Sequence, residues 1–157
     1  MTKKFFLILL GVMFFCTSIC SAQIADNRFF LGGLTVGSQM SDAIKIYGFP
    51  NKTKNAYDPM HDVFDHYWGN GSLWISEGND GTIHRIFINA DNGIATIDGV
   101  KVGMNPNVIF KVYGKSDLTY NDDAGTKYYV YSKKGNVDLQ FAVKNGKIFA
   151  ISLHSSV

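Results

Sequence analysis

The sequence has 157 residues, 46% of them hydrophobic, and a formal net charge of +2 that is supplied by Lys3 and Lys4 at its amino terminus. The rest of the chain is electrically balanced, so its net charge gives no reason to expect binding to nucleic acid or to an anionic membrane. Both cysteines, Cys16 and Cys20, lie in the same amino-terminal segment, so we expect neither a disulfide framework nor a thiolate nucleophile beyond it.

The amino-terminal segment has the parts of a secretory signal peptide. Lys3 and Lys4 form its positive end, Phe5 to Phe15 its apolar centre, and small residues precede the expected cleavage before Gln23. The apolar run is shorter than the roughly 20 residues of a membrane span, so no stable span is expected after cleavage. A retained anchor and lipidation at Cys20 are the alternatives. The sequence therefore predicts an exported protein, either periplasmic or extracellular.

Two similar segments predict a repeated unit. GGLTVGSQMSDAIKIYG at residues 32–48 matches DGVKVGMNPNVIFKVYG at 98–114, so that Gly48 aligns with Gly114. Self-similarity of this kind defines the unit of folding. The expected domains are a signal peptide, a first repeat and a second repeat, at 1–22, 23–97 and 98–157.

Each repeat is predicted to open with a short amphipathic helix. Apolar residues recur at helical spacing in the first repeat at Met40, Ala43, Ile44 and Tyr47. The same spacing recurs in the second at Pro106, Ile109, Phe110 and Tyr113. Ser38 or Ser41 is expected to cap the first helix and Asn105 the second, whereas Gly48 and Gly114 end them.

Strand-forming residues separated by turn signals follow each helix. The predicted strands are residues 66–68, Leu73–Glu77 and Thr82–Ile88 in the first repeat, and Tyr128–Ser132, Val137–Val143 and Lys147–Leu153 in the second. The predicted fold class is therefore α+β, with two tandem repeats, each a short helix packed on a three-stranded antiparallel sheet.

The segment GLTVGSQMSDAIKIYGFP resembles the G-M-T…V…G-x-P signature of small envelope proteins. The matching residues are Gly37, Gly48 and Pro50 in the first repeat and Gly103, Met104 and Gly114 in the second. The outer-membrane-assembly lipoproteins carry one such helix-then-sheet unit, and the β-lactamase inhibitor protein carries two in tandem. The resemblance implies a non-catalytic envelope or secreted module that binds another protein.

Comparison of the two repeats singles out one face of the first sheet. The alternation of residues 139–143 directs Gln140 away from the helix, and the same register directs Trp74 outward in the first repeat. Phe87 likewise occupies, in the first repeat, the outward position that Ser152 occupies in the second. Exposed aromatic side chains beside arginine are typical binding anchors. The predicted partner-binding residues are Trp74, Phe87, Arg85 and Trp68. Packing of this face on the second repeat or on the amino-terminal segment is the alternative.

A metal or enzymatic function is a second hypothesis. His61 and His66, with nearby aspartates, are residue types that bind zinc and other divalent ions. Their spacing matches no established metal motif, and an extended chain would direct them to opposite faces. We find no G-x-S-x-G elbow and no positioned nucleophile and base. The sequence therefore predicts no enzyme activity and no cofactor.

The leading hypothesis is a secreted or periplasmic, non-catalytic module that binds a protein of unknown identity through exposed sheet faces. A metal-dependent enzyme or metal binder that uses the His61–His66 segment is one alternative. A structural component of the cell envelope is another.

Overall fold

The computed structural model describes residues 24–57, 62–133 and 135–155. The predicted signal peptide at 1–22 and His61 of the predicted metal segment lie outside the described residues. No helix in the described part of the chain is long and apolar enough to cross a membrane.

Two short helices lie where the apolar spacing predicts them. Helix α1 spans Met40–Tyr47 and helix α2 spans Asn107–Tyr113. Each ends at a glycine, Gly48 or Gly114, whose φ angle of 74° is one that residues with a Cβ atom rarely adopt. The glycine stop signals therefore act as predicted.

The helix caps differ between the two helices. Asn105 Oδ1 accepts a hydrogen bond from the N–H of Asn107 at 2.9 Å, which satisfies a free donor at the start of α2 as predicted. The serine cap predicted for α1 is wrong. Gln39 precedes that helix without a side-chain cap, and Ser38 Oγ instead accepts a hydrogen bond from the N–H of Thr35.

Eight strands form one antiparallel sheet. The strands are β1 Lys52–Tyr57, β2 Asp62–Trp68, β3 Leu73–Gly78, β4 Ile83–Ile88, β5 Leu118–Asn121, β6 Lys127–Lys133, β7 Val137–Lys144 and β8 Lys147–Ser155. Their order across the sheet is β1-β2-β3-β4-β8-β7-β6-β5. The last strands of the two chain halves, β4 and β8, therefore pair with each other at the centre.

The predicted fold class of two repeats, each a helix on a three-stranded sheet, is wrong. The sheet is continuous across β4 and β8, and each chain half contributes four strands to it. The additional strands, β1 and β5, lie at the two edges. Their side chains are exposed on both faces over most of their length, so they lack the alternation of apolar and polar residues that marks a half-buried strand.

The hydrophobic core lies between one face of the sheet and the helices. Its strand residues alternate along the chain, as in Leu73 and Ile75 of β3, and they pack with Ala43 of α1 and Ile109 of α2. Residues 24–34, which follow the predicted signal peptide, join this layer through buried Phe29. We call this side of the sheet the inner face and the opposite side the outer face.

An ion pair fixes the segment of residues 24–34 to the helix side of the sheet. Arg28 Nε lies 3.1 and 3.0 Å from the two carboxylate oxygens of Asp98, and Arg28 Nη2 donates to the carbonyl of Val112 at 3.0 Å. The guanidinium group also lies 4.9 Å from the ring centroid of Tyr113. This segment therefore packs on the inner side of the sheet.

Aromatic donors fasten the ends of both helices to the sheet. Trp68 Nε1 donates to the carbonyl of Gly48 at 3.1 Å, and Tyr131 Oη donates to the carbonyl of Gly114 at 2.8 Å. Burial raises the pKa of Tyr131 to about 12, so its phenol stays protonated and remains a donor at ordinary pH. Trp68 and Tyr131 therefore have structural roles on the inner face.

Candidate partner-binding face

Three aromatic side chains stand in a row on the outer face. Tyr67 of β2 pairs directly with Trp74 of β3, and Trp74 pairs with Phe87 of β4. Directly paired residues of an antiparallel sheet project to the same side. We call these three residues the aromatic row.

The rings of the aromatic row contact one another in sequence. The ring centroids of Tyr67 and Trp74 are 6.0 Å apart at an interplanar angle of 22°, and those of Trp74 and Phe87 are 5.4 Å apart at 57°. All three side chains are half-buried. Trp74 Nε1 is shielded from solvent and has no hydrogen-bond partner within the described residues. An unpaired buried donor of this kind costs roughly 1–3 kcal/mol.

Two exposed cations lie against the aromatic row. The guanidinium carbon of Arg85 is 5.9 Å from the ring centroid of Trp74, and Lys54 Nζ is 5.6 Å from that of Tyr67. Both distances fall within the range of cation–π attraction. The aromatic row is therefore flanked by positive charge that solvent, or a partner, can reach.

A buried carboxylate lies beside the aromatic row and is held by hydroxyl groups. Asp65 is 9% exposed, and its Oδ1 atom accepts a hydrogen bond from Ser76 Oγ at 2.7 Å. The hydroxyl of Tyr67 lies 3.4 Å from Oδ2 of the same carboxylate. Burial and this carboxylate together raise the pKa of Tyr67, so the phenol remains the donor in the pair.

A histidine continues the outer face across the centre of the sheet. His154 of β8 pairs with Arg85 on one side and with Asp138 of β7 on the other. Burial, together with the positive charge of Arg85, lowers the pKa of His154 below its usual 6.5, although Asp138 opposes this effect. The imidazole is therefore neutral at pH 7. Asp138 Oδ1 is shielded and lacks a hydrogen-bond partner within the described residues.

These groups line a groove of about 510 Å³ on the outer face. Its walls include Asp65, Trp74, Ser76, Arg85 and His154, together with residues of the turn between β6 and β7. The volume lies in the range of sites that hold a small ligand or a few side chains of a protein. The groove therefore joins the aromatic row to the charged centre of the sheet.

Aromatic and amide side chains on the outer face of the second chain half contact one another. Tyr120 and Tyr128 stack with ring centroids 4.8 Å apart. The amide of Gln140 donates to the Tyr120 hydroxyl and accepts a hydrogen bond from Ser152 Oγ at 3.3 Å. This network contrasts with the unpaired indole N–H of Trp74.

Three of the four predicted binding residues are brought together by the sheet. Trp74, Phe87 and Arg85 share the outer face, where Arg85 is exposed and the two rings are half-buried. The prediction of Trp68 as a binding residue is wrong, because Trp68 pairs with inward-facing Leu73 and is only 7% exposed. Its indole lies under the helix layer.

The predicted metal segment is not supported by the arrangement of its described histidine. His66 faces inward, with Nε2 2.7 Å from a carboxylate oxygen of Glu77 and Nδ1 3.0 Å from the hydroxyl of Thr53. Both ring nitrogens therefore already have partners. Within the described residues no group of three or more metal-binding side chains comes together.

Tyr67 and His154 belong to the outer face but were not predicted as site residues. Four residues separate Trp68 from Leu73, and a turn of that length pairs them directly, so that Tyr67 shares a face with Trp74. The length of the turn was the available signal. No local signal places His154 beside Arg85, because Arg85 comes from β4, which is distant along the chain.

No protein-family model matches the sequence, and no curated protein matches it. Its fold is similar to that of a cysteine-rich secretory protein from Staphylococcus aureus, with a TM-score of 0.54 and 12% identity over 80% of this chain. It is also similar to an extracellular protein containing a SCP domain from Bacillus anthracis, with a TM-score of 0.53 and 7% identity over 85% of this chain. The chain spans 45% and 48% of the lengths of these two proteins.

A DUF4309-family protein from Bacillus subtilis aligns with 76% of this chain and 79% of its own, at 20% identity and a TM-score of 0.45. At such identities the two likenesses with TM-scores above 0.5 show a shared fold and nothing about activity. The resemblance to the β-lactamase inhibitor protein and the outer-membrane-assembly lipoproteins stays a prediction.

Proposed function

We propose that the protein is exported and binds another protein, without catalysis, through the outer face of its sheet. The observation that carries the proposal is the aromatic row with Arg85 beside it. None of these residues belongs to the hydrophobic core, which packs on the inner face. Large aromatic side chains and arginine dominate the binding energy of protein interfaces.

Two observations support export. The amino-terminal residues have the charge and apolar run of a signal peptide. The similar structure from Bacillus anthracis is that of an extracellular protein. The proposal covers both a periplasmic and an extracellular destination.

The aromatic row contributes to affinity without accounting for all of it. Covering about 200 Å² of apolar surface would contribute about 5 kcal/mol. The loss of translational and rotational freedom on association costs about 4–15 kcal/mol. A stable complex therefore also requires polar contacts, and the outer face offers exposed donors at Arg85 and Lys54.

The test is capture of a partner by purified protein that begins at Gln23. The protein is chemically cross-linked to native envelope fractions and to culture medium, and the captured protein is identified by mass spectrometry. We expect Trp74→Ala to abolish capture. Phe49→Ala is the matched control, because Phe49 is an 81% exposed aromatic residue at the end of α1, and we expect it to retain capture.

Circular dichroism and thermal unfolding establish that both variants are folded before capture is compared. Equal capture by wild type and Trp74→Ala would contradict the proposed function. If neither destination yields a partner, the structural envelope role becomes the better hypothesis.

A further inference from the structure

The outer face carries exposed positive charge. Five exposed cationic side chains lie on it or at its margins: Lys52 and Lys54 on β1, Arg85 on β4, and Lys144 and Lys147 at the turn between β7 and β8. Within the described residues none of them forms an ion pair with a carboxylate at 4.0 Å or less. Their charges are therefore available to a partner.

The carboxylates of the same face are less accessible. Asp65 is nearly buried and accepts hydrogen bonds from Ser76 and Tyr67. Asp138 is half-buried, with one oxygen shielded from solvent. Beside the aromatic row the exposed charge is therefore that of Lys54 and Arg85, whereas the exposed carboxylates of Asp80 and Asp123 lie in turns of the sheet.

The cations surround an apolar centre and do not form a continuous track. Lys54 lies against Tyr67 at one end of the aromatic row, and Arg85 lies against Trp74 at its centre. The lysines of the β7–β8 turn lie across the sheet from β1, which at about 4.8 Å per strand is roughly 20 Å away. This pattern fits a folded surface with an apolar anchor and carboxylates around it better than a linear polyanion.

We propose, resting on the proposed function, that the partner presents an acidic protein surface. An aliphatic or aromatic side chain of the partner covers the aromatic row, while partner carboxylates pair with Arg85 and Lys54. Charge complementarity of this kind accelerates association and weakens as salt is added.

Selection from a random library of 12-residue displayed peptides tests the proposal, with the purified protein as bait. We expect the selected peptides to contain Asp or Glu on both sides of a large apolar residue. The dissociation constants of synthetic copies are then measured by fluorescence anisotropy at low and high salt. The double variant Lys54→Gln, Arg85→Gln should raise the dissociation constant about tenfold or more.

The matched control removes the same charge elsewhere. Lys111 and Lys115 are exposed residues in and just after α2, away from the outer face. We expect Lys111→Gln with Lys115→Gln to change the dissociation constant less than about twofold. An equal loss in both double variants would show that net charge alone drives binding and would overturn the proposal.

The remaining outcomes separate this inference from the proposed function. Peptides without an acidic bias that still require Trp74 would overturn the acidic partner and leave the proposed function standing. Peptides that bind Trp74→Ala as well as wild type would contradict both. Tight binding of inorganic polyphosphate that requires Lys54 and Arg85, with no peptide selected, would replace the acidic protein by a polyanion.

Discussion

The two tryptophans of the chain lie on adjacent strands but face opposite sides of the sheet. Trp68 is almost fully buried under the helix layer, and its indole N–H donates to the carbonyl of Gly48. Trp74 is half-buried on the outer face, and its indole N–H has no partner within the described residues. The indole N–H of Trp68 is therefore hydrogen-bonded within the fold, whereas that of Trp74 is not.

The difference shows why residue type alone does not identify a binding site. Both indoles contact other aromatic rings, Trp68 with Tyr47 at 6.2 Å and Trp74 with Phe87 at 5.4 Å. What distinguishes them is whether each polar atom and each apolar surface already has a partner inside the molecule. Buried polar groups in folded proteins are nearly always paired, so an unpaired one indicates a function or a missing contact.

The largest expected effect is on stability, from truncation of the inner indole. We expect Trp68→Ala to lower the free energy of unfolding by about 3–5 kcal/mol, because it leaves a cavity and removes the bond to Gly48. Trp74→Ala should cost about 1–2 kcal/mol, because much of that side chain already contacts solvent. Urea unfolding followed by circular dichroism measures both.

Trp68→Phe serves as the control for the lost hydrogen bond, since it keeps an apolar ring in the site. It should recover a large part of the stability that Trp68→Ala loses. Equal losses of unfolding free energy in Trp68→Ala and Trp74→Ala would contradict the distinction between the inner and outer indoles.

A smaller effect is expected at the buried hydroxyl of Ser76, beside the aromatic row. Ser76→Ala removes the 2.7 Å hydrogen bond to Asp65 and leaves a nearly buried carboxylate with a weaker set of donors. We expect a loss of roughly 1–2 kcal/mol in the free energy of unfolding. The double variant Ser76→Ala, Asp65→Asn tests the cause, because a neutral amide should reduce the cost. If the double variant loses the sum of both single costs, the carboxylate is not the reason.

The helices and the inner strands could be predicted from the sequence because their buried side chains recur with regular periods. Met40 to Tyr47 repeats at helical spacing, and Leu139 to Val143 alternates as a half-buried strand does. The edge strands could not be predicted in this way. Residues of β1 such as Lys52 and Lys54 are exposed, and the strand is held by backbone pairing with β2, which leaves no apolar pattern.

The candidate site was predictable where it depends on one hairpin and unpredictable where it depends on the whole sheet. The short turn between β3 and β4 brings Trp74 beside Phe87, so local alternation was sufficient to group them. The pairing of β4 with β8 joins residues more than sixty positions apart, as in Arg85 and His154. That contact results from burial of the whole inner face, for which no short segment carries a signal.

The smallest expected effect is a pH dependence that originates on the outer face. The pKa of His154 is lowered in the folded protein, by burial first and by Arg85 second, with Asp138 opposing. As the pH falls below 6.5, the unfolded chain binds a proton at this site before the folded chain does. Proton binding then favours unfolding, so the free energy of unfolding should decrease between about pH 7 and pH 5.

His154→Gln isolates this contribution, since glutamine does not titrate and keeps a polar side chain between Arg85 and Asp138. Urea unfolding of wild type and variant at several pH values should give curves that differ in slope below pH 6.5 and run parallel above pH 7.5. The acidic side chains Asp80 and Asp122, whose lowered pKa values arise from hydrogen bonds, act only near and below their usual value of 3.8 and so do not obscure this window. Curves that stay parallel down to pH 5 would show that the pKa of His154 is the same in the folded and the unfolded chain, and would contradict the lowered pKa of this imidazole.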